Sequence, residues 1–179
     1  MLSATVESVG WTWQAALVGV AGVGLTFGRW WVYFVLPSAE VLHLGRGKCW
    51  VWGYGHYVVF GSIAAMGAGL HVAAYYIEHT AHISALATVL TVVVPVAVYV
   101  LSIFALCTYL VGRLDPFHLG LAAGAAFFLV LPVVLAGAHV AMPICLLVLT
   151  LAPAEVVVGY ELVNSRHHRT VMEHLRAQS

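Results

Sequence analysis

Apolar positions along the chain come in long runs with few interruptions. One run extends from Gln14 to Leu36 and stops at Pro37, a second from Trp50 to Tyr76, and a third from Ser84 to Val111. The stretch from Phe117 to Leu162 has few charges and is too long for one crossing, since a bilayer core takes about 20 residues of helix. His139, Met142 and Pro143 near its middle divide it. No run shows the strict alternation of a barrel strand. The pattern therefore predicts an all-α fold, a polytopic transmembrane bundle of five helices at 14–36, 50–76, 84–111, 117–140 and 143–162. These make one membrane domain, 1–163, followed by a tail at 164–179.

Composition supports that class. Hydrophobic residues make up 63% and charged residues 8% of the chain, and the mean hydropathy is +0.99. A soluble domain of this size cannot hide so much apolar surface, so a soluble enzyme and a disordered chain are excluded. Seven basic and seven acidic residues leave no net charge, and hence no field to attract a nucleic acid. Cys49, Cys107 and Cys145 are widely spaced without a C-x-x-C pair, so neither a disulfide framework nor a zinc site is indicated. Glu7 and the absence of Lys or Arg before the first apolar run do not fit a secretory signal.

Lys and Arg alternate between connecting segments. The N-terminal segment has none, the first loop has Arg46 and Lys48, the second none, the third Arg113, the fourth none, and the tail Arg166, Arg169 and Arg176. Cytoplasmic segments carry the excess of basic residues. The expected orientation is therefore N-terminus outside and C-terminus cytoplasmic, in a bacterial cytoplasmic (inner) membrane. Trp11 and Trp13 mark the outer boundary, Trp30, Trp31, Tyr33, Trp50 and Trp52 the inner one, and Tyr75 and Tyr76 the outer one again. Three rows of small residues at four-residue spacing, Gly24/Gly28, Gly61/Ala65/Gly69 and Gly120/Gly124, suit close helix contacts in lipid. Pro95, Pro132, Pro143 and Pro153 each free a carbonyl within a helix, and kinks are expected there. The tail, with Arg166-His167-His168-Arg169 and the apolar Val171, Met172 and Leu175, reads as a basic amphipathic helix on anionic lipids of the inner leaflet.

Ionisable groups within the spans carry the chemistry, because a charge there is costly unless it finds water or a partner. Arg29 and Glu155 each lie seven residues from the inner end of their helices, about 10 Å deep, and His56 lies about 9 Å in from the same side. An inner polar site is expected, Arg29 pairing with Glu155 and His56 hydrogen-bonded nearby. The alternative is that Arg29 snorkels to the headgroups while Glu155 is protonated or faces water. An outer group of His71, Glu78, His79, His82 and His139 has residue types that bind metals or sense pH. Solvated loop histidines are the preferred account of it, and no metal is expected. Haem is not expected either. The separations His56–His71 and His118–His139 differ by about 9 Å along the helix axis, so two axial pairs cannot both be level.

Arg29-Trp30-Trp31-Val32-Tyr33-Phe34, a short basic loop, then Tyr54-Gly55-His56-Tyr57 leading to Gly61 and Gly67-Ala68-Gly69-Leu70, resembles the C-terminal half of the bacterial low-temperature-requirement protein A family. That family's W-W-x-Y-F helix end and aromatic-x-His opening, carried over, single out Trp30, Trp31, Tyr33, Phe34 and His56. Two family features, an F-F-D-type opening helix and a G-E-S-type helix before the W-W segment, are missing here. His71 stands where an acidic residue often follows the G-L motif. The resemblance implies a multi-pass membrane protein, either a short relative that pairs with itself or another subunit, or a segment of a longer reading frame.

No nucleophile with a base at helical spacing and no phosphate loop is present, so binding rather than catalysis is expected, with no cofactor. The expected function is to bind or translocate a small solute or proton at the inner polar site, a possible transporter. The alternative is an accessory or assembly subunit whose small-residue faces dock a partner, as a homo-oligomer or with another chain.

Overall fold

A computed structural model describes residues 12–35, 46–112 and 116–162. Within them lie five helices long and apolar enough to cross a membrane: α1 (Trp13–Val35), α2 (Cys49–Ile77), α3 (Ala85–Val111), α4 (Pro116–Gly137) and α5 (Met142–Leu162). A single 3-10 turn, Arg46–Lys48, leads into α2. No strand occurs among the described residues. Trp11, Pro37, Arg113 and the basic tail lie outside the described residues.

Local chemistry sets the helix ends. Ser84 precedes α3 in extended conformation, and its side chain accepts from the Ala87 N–H at 3.2 Å, satisfying one orphan donor of the first turn. At the other end Gly112 adopts φ 75°, and its N–H donates to the Thr108 carbonyl at 2.8 Å. Lys48, just ahead of α2, donates through Nζ to the Leu110 carbonyl at 2.7 Å. A cation thus meets the negative end of the α3 dipole, and the start of α2 is tied to the end of α3. Helix α4 stops at Gly137, three residues short of the expected 140. His139 turns left-handed with φ 61°, its N–H donating to Ala136 and that of Val140 to Leu135. His79 ends α2 in the same way, at φ 57°; its N–H donates to Tyr76 and that of Thr80 to Tyr75. Histidine is among the residues that tolerate this conformation.

Consecutive helices pack side by side, and α1 closes the ring chiefly against α5. Helices α3 and α5 are the most buried. Val92, Val96, Tyr99 and Ile103 of α3 meet Leu146, Leu149 and Val156 of α5 in one core. The outer surface carries Phe27, Tyr57, Phe60, Leu101, Phe127, Val130 and Val158, an apolar exterior suited to lipid chains. Below, the end of the bundle near Lys48 is called the basic end and the end near His79 the histidine end.

In lipid, helices associate by close packing rather than by exclusion from water, and glycines mark the tightest crossings. A Cβ on Gly28 would lie 2.9 Å from Pro153 Cγ, and one on Gly24 3.2 Å from Thr150 Cγ2. Those α5 residues belong to its one irregular stretch. Thr150 is a turn residue, and Pro153 lacks the N–H that would continue the ladder. Gly69 presses on the Thr91 backbone carbonyl, and the Thr91 hydroxyl donates to the Gly69 carbonyl at 3.4 Å. The Gly24/Gly28 row is used in full, but only part of each of the other two rows. A Cβ on Gly61 or on Gly120 would meet nothing within 4 Å, and Ala65 is exposed.

Gly69→Ala is expected to lower the unfolding free energy of the purified protein by about 1–3 kcal/mol, since the obstacle is backbone. Gly61→Ala, facing outward on the same helix, should stay within about 0.5 kcal/mol. Reversible unfolding in mixed micelles measures both.

Candidate functional site

The first polar centre lies where α1, α2 and α3 meet. Arg29 is 3% exposed. Its Nε donates to the Leu25 carbonyl at 3.2 Å, folding the side chain back along α1, away from the basic end. Its guanidinium carbon stands 5.5 Å from the centroid of the Tyr99 ring, a cation–π geometry. Tyr99, itself buried, donates its hydroxyl to the Arg29 carbonyl at 2.7 Å. One turn nearer the basic end, Tyr33 lies 2.9 Å from His56 Nε2, and His56 Nδ1 lies 2.6 Å from the Trp52 carbonyl. A carbonyl only accepts, so Nδ1 carries the proton and Nε2 accepts from the Tyr33 hydroxyl. Both imidazole nitrogens are thereby engaged. The Tyr33 and Trp52 rings pack against His56 at 5.7 and 4.8 Å between centroids.

Glu155 belongs to a second centre, between α4 and α5. Its carboxyl lies directly against Gly124 of α4, so closely that a Cβ there would collide with it. Oε2 is buried without a hydrogen-bond partner, and so is Arg29 Nη1. The expected Arg29–Glu155 pair is not formed, and neither is the snorkelling alternative. The common depth is nonetheless real, because Gly28 sits on Pro153. The direction around each helix differs. Residues advance about 100° apiece, so with Gly28 and Pro153 in contact, Arg29 turns to α3 and Glu155, about 200° beyond Pro153, turns to α4. His56 joins Tyr33 rather than Arg29.

The outer group is not drawn together. His71 faces outward against the Tyr75 ring, with centroids 4.5 Å apart. His79 and His139 are exposed helix terminators, His82 is exposed and Glu78 half-buried. No group of three His, Cys, Asp or Glu able to hold a metal occurs among the described residues. The aromatic motif divides likewise. Trp30, Trp31 and Phe34 are 58%, 50% and 62% exposed, while Tyr33 turns inward to His56. Two members of these centres escape sequence reasoning. Tyr99 is a phenol near the middle of a valine-rich span, and a phenol at that depth needs a partner. Tyr160 bonds His118 Nε2 at the basic end of the α4–α5 seam, with the Phe104 and Phe117 rings around the imidazole. From sequence, His118 enters only as a haem ligand to be set aside.

Double-mutant cycles distinguish these arrangements. Tyr33→Phe and His56→Ala are expected to couple by about 0.5–3 kcal/mol, as residues in one hydrogen bond do. Arg29→Ala and Glu155→Ala should be additive within about 0.5 kcal/mol, as for independent sites. The measurement is again unfolding free energy in micelles.

Comparison with known proteins agrees with this architecture. The sequence profile described as bacterial low temperature requirement A protein (LtrA) matches residues 1–153, well beyond the motifs between Arg29 and Leu70 that carry the resemblance. No curated protein and no solved structure matches the chain. The helices are those of a multi-pass membrane protein, and the profile extends across nearly all of them. The chain belongs to the bacterial low temperature requirement A family.

Proposed function

We propose that the protein binds a small anionic solute at the α1–α2–α3 centre. One observation carries this reading: a guanidinium almost wholly buried, with Nη1 unpartnered and no acidic group bonded to it. An uncompensated cation within a bilayer costs several kcal/mol. An anion supplies the missing charge, and a guanidinium is well shaped to hold a carboxylate or oxyanion. The Tyr99 ring lies beside it, its centroid 5.5 Å from the guanidinium carbon. On this reading the protein acts by binding or translocation rather than by covalent chemistry and needs no cofactor. Its N-terminus is outside, its C-terminus cytoplasmic, and the centre lies toward the inner leaflet of the cytoplasmic membrane, with the basic tail on anionic lipids. The alternation of Lys and Arg between segments supports that orientation.

A second reading, an accessory subunit that docks a second copy or another chain, draws support from the outward-facing Gly61, Ala65 and Gly120, which no described helix of the chain covers. The two readings differ at Arg29. At constant ionic strength, replacing gluconate by chloride, nitrate or acetate should raise the melting temperature of the wild-type protein saturably. A ligand at 100 times its Kd stabilises by about 2.7 kcal/mol. Arg29→Gln should abolish the response. Equal responses from both proteins would reject the anion site.

A further inference from the structure

Glu155 poses a separate question, because the face of α5 that carries it is turned away from Arg29. The carboxyl is lodged between α4 and α5, its Oε1 and Cδ against the bare Cα of Gly124. Any side chain at residue 124 would occupy the place of the carboxyl. Oε2 is closed off and receives no hydrogen bond. One turn nearer the basic end the seam is sealed by Leu121 against Gly159, and at its mouth stands the His118–Tyr160 pair. Tyr160 is five residues from Glu155, about 7.5 Å along the helix.

The titratable groups on the surrounding elements at this level and toward the basic end are few. Among the described residues they are His118 on α4, Tyr160 and the exposed Glu161 on α5, Arg29 and Tyr33 on α1, and Tyr99, Cys107 and the exposed Tyr109 on α3. Arg29 is engaged by Leu25 and Tyr99, Tyr33 by His56, and Tyr99 by the Arg29 carbonyl. None donates to Oε2. Glu155 is half-buried, and a carboxylate there, with Oε2 closed off, would be an anion within the bilayer without a bonded counter-charge, a costly arrangement. The neutral acid leaves a single hydroxyl unmatched, a much smaller burden. Chemistry that alternates between the two forms needs no cavity, because its ligand is a proton.

We propose that Glu155, seated on Gly124 between α4 and α5, is a proton-binding site of the bundle, distinct from the Arg29 centre. It is neutral when loaded and charged only while the proton is released. This assignment does not rest on the anion reading, since the two groups occupy different seams.

An apolar carbodiimide tests it directly. The reagent must take up the acid's proton before the carboxylate adds to its central carbon, so it marks protonated carboxyls within the bilayer. The wild-type protein in lipid nanodiscs is treated with dicyclohexylcarbodiimide over a pH series, and the modified residue is read by peptide fragmentation. Glu155 should be labelled, and the labelling should fall by about tenfold per pH unit above its midpoint, as the protonated fraction does. Glu155→Gln should remove the label, and His118→Gln should leave the pH dependence in place. A wild-type Glu155 unlabelled at every pH, or labelled equally at all, would overturn the proposal. Loss of the pH dependence in His118→Gln would overturn it too, by making the imidazole the titrating group. If a variant does not fold, the wild-type series decides by itself, because fragmentation identifies the residue. A negative result leaves the chloride response at Arg29 unaffected.

Discussion

Contact between α1 and α5 at Gly28 and Pro153 governs the rest of the bundle. Lipid chains are as apolar as leucine, so nothing like the hydrophobic effect pulls these helices together, and close approach must do so. The approach is possible because one partner offers no side chain and the other a proline ring at a break in its own ladder. Once these two faces are fixed, the rotation of both helices is fixed as well. Every other polar side chain on α1 and α5 then takes its direction from that seam. Arg29, one residue along, reaches Tyr99; Glu155, two residues along, reaches Gly124. Two opposite charges at matching depth are thereby held apart by the same contact that brings their helices together.

Depth along each helix was legible in the sequence because rise per residue is nearly constant. Counting residues from the inner ends placed Arg29, Glu155 and His56 at one level; the Gly28–Pro153 contact agrees for Arg29 and Glu155, whereas His56 meets Tyr33, one turn nearer the basic end. Rotation about each axis was not legible. The hydrophobic pattern that reveals the inner face of a soluble helix is lost when lipid and protein core are equally apolar. Gly61 and Gly69 share a helix and a spacing, yet only Gly69 meets a neighbour. Trp30, Trp31 and Tyr33 stand within one motif, yet only Tyr33 turns inward. The extent of the spans was read closely, with one difference at α4. His139 was read as part of the break between the last two helices, but the end of α4 at Gly137 was not, because it depends on the left-handed conformation of His139 in the turn between two apolar helices.

The polar groups that do meet use few strong partners. His56 spends both nitrogens on Tyr33 and the Trp52 backbone, which settles its tautomer. Lys48, one of the residues from which orientation was inferred, is engaged by the Leu110 carbonyl at the end of α3 and stands 5.8 Å from the Tyr109 ring centroid. A residue that reads as a topological signal is therefore also a cap. In contrast, Arg29 Nη1 and Glu155 Oε2 have no such use within the described residues. Among the described residues the other fully buried side-chain polar atoms have partners, while a guanidinium and a carboxyl group are left unmatched in separate seams.

The hydroxyl of Tyr99 reaches the backbone of residue 29, not its side chain. The mechanical link between α1 and α3 is therefore independent of which side chain residue 29 carries. Charge and scaffold are decoupled at the one place in the bundle where a cation is most deeply enclosed. Evolution, or an experimenter, can retune the electrostatics of that centre while the helices keep their alignment.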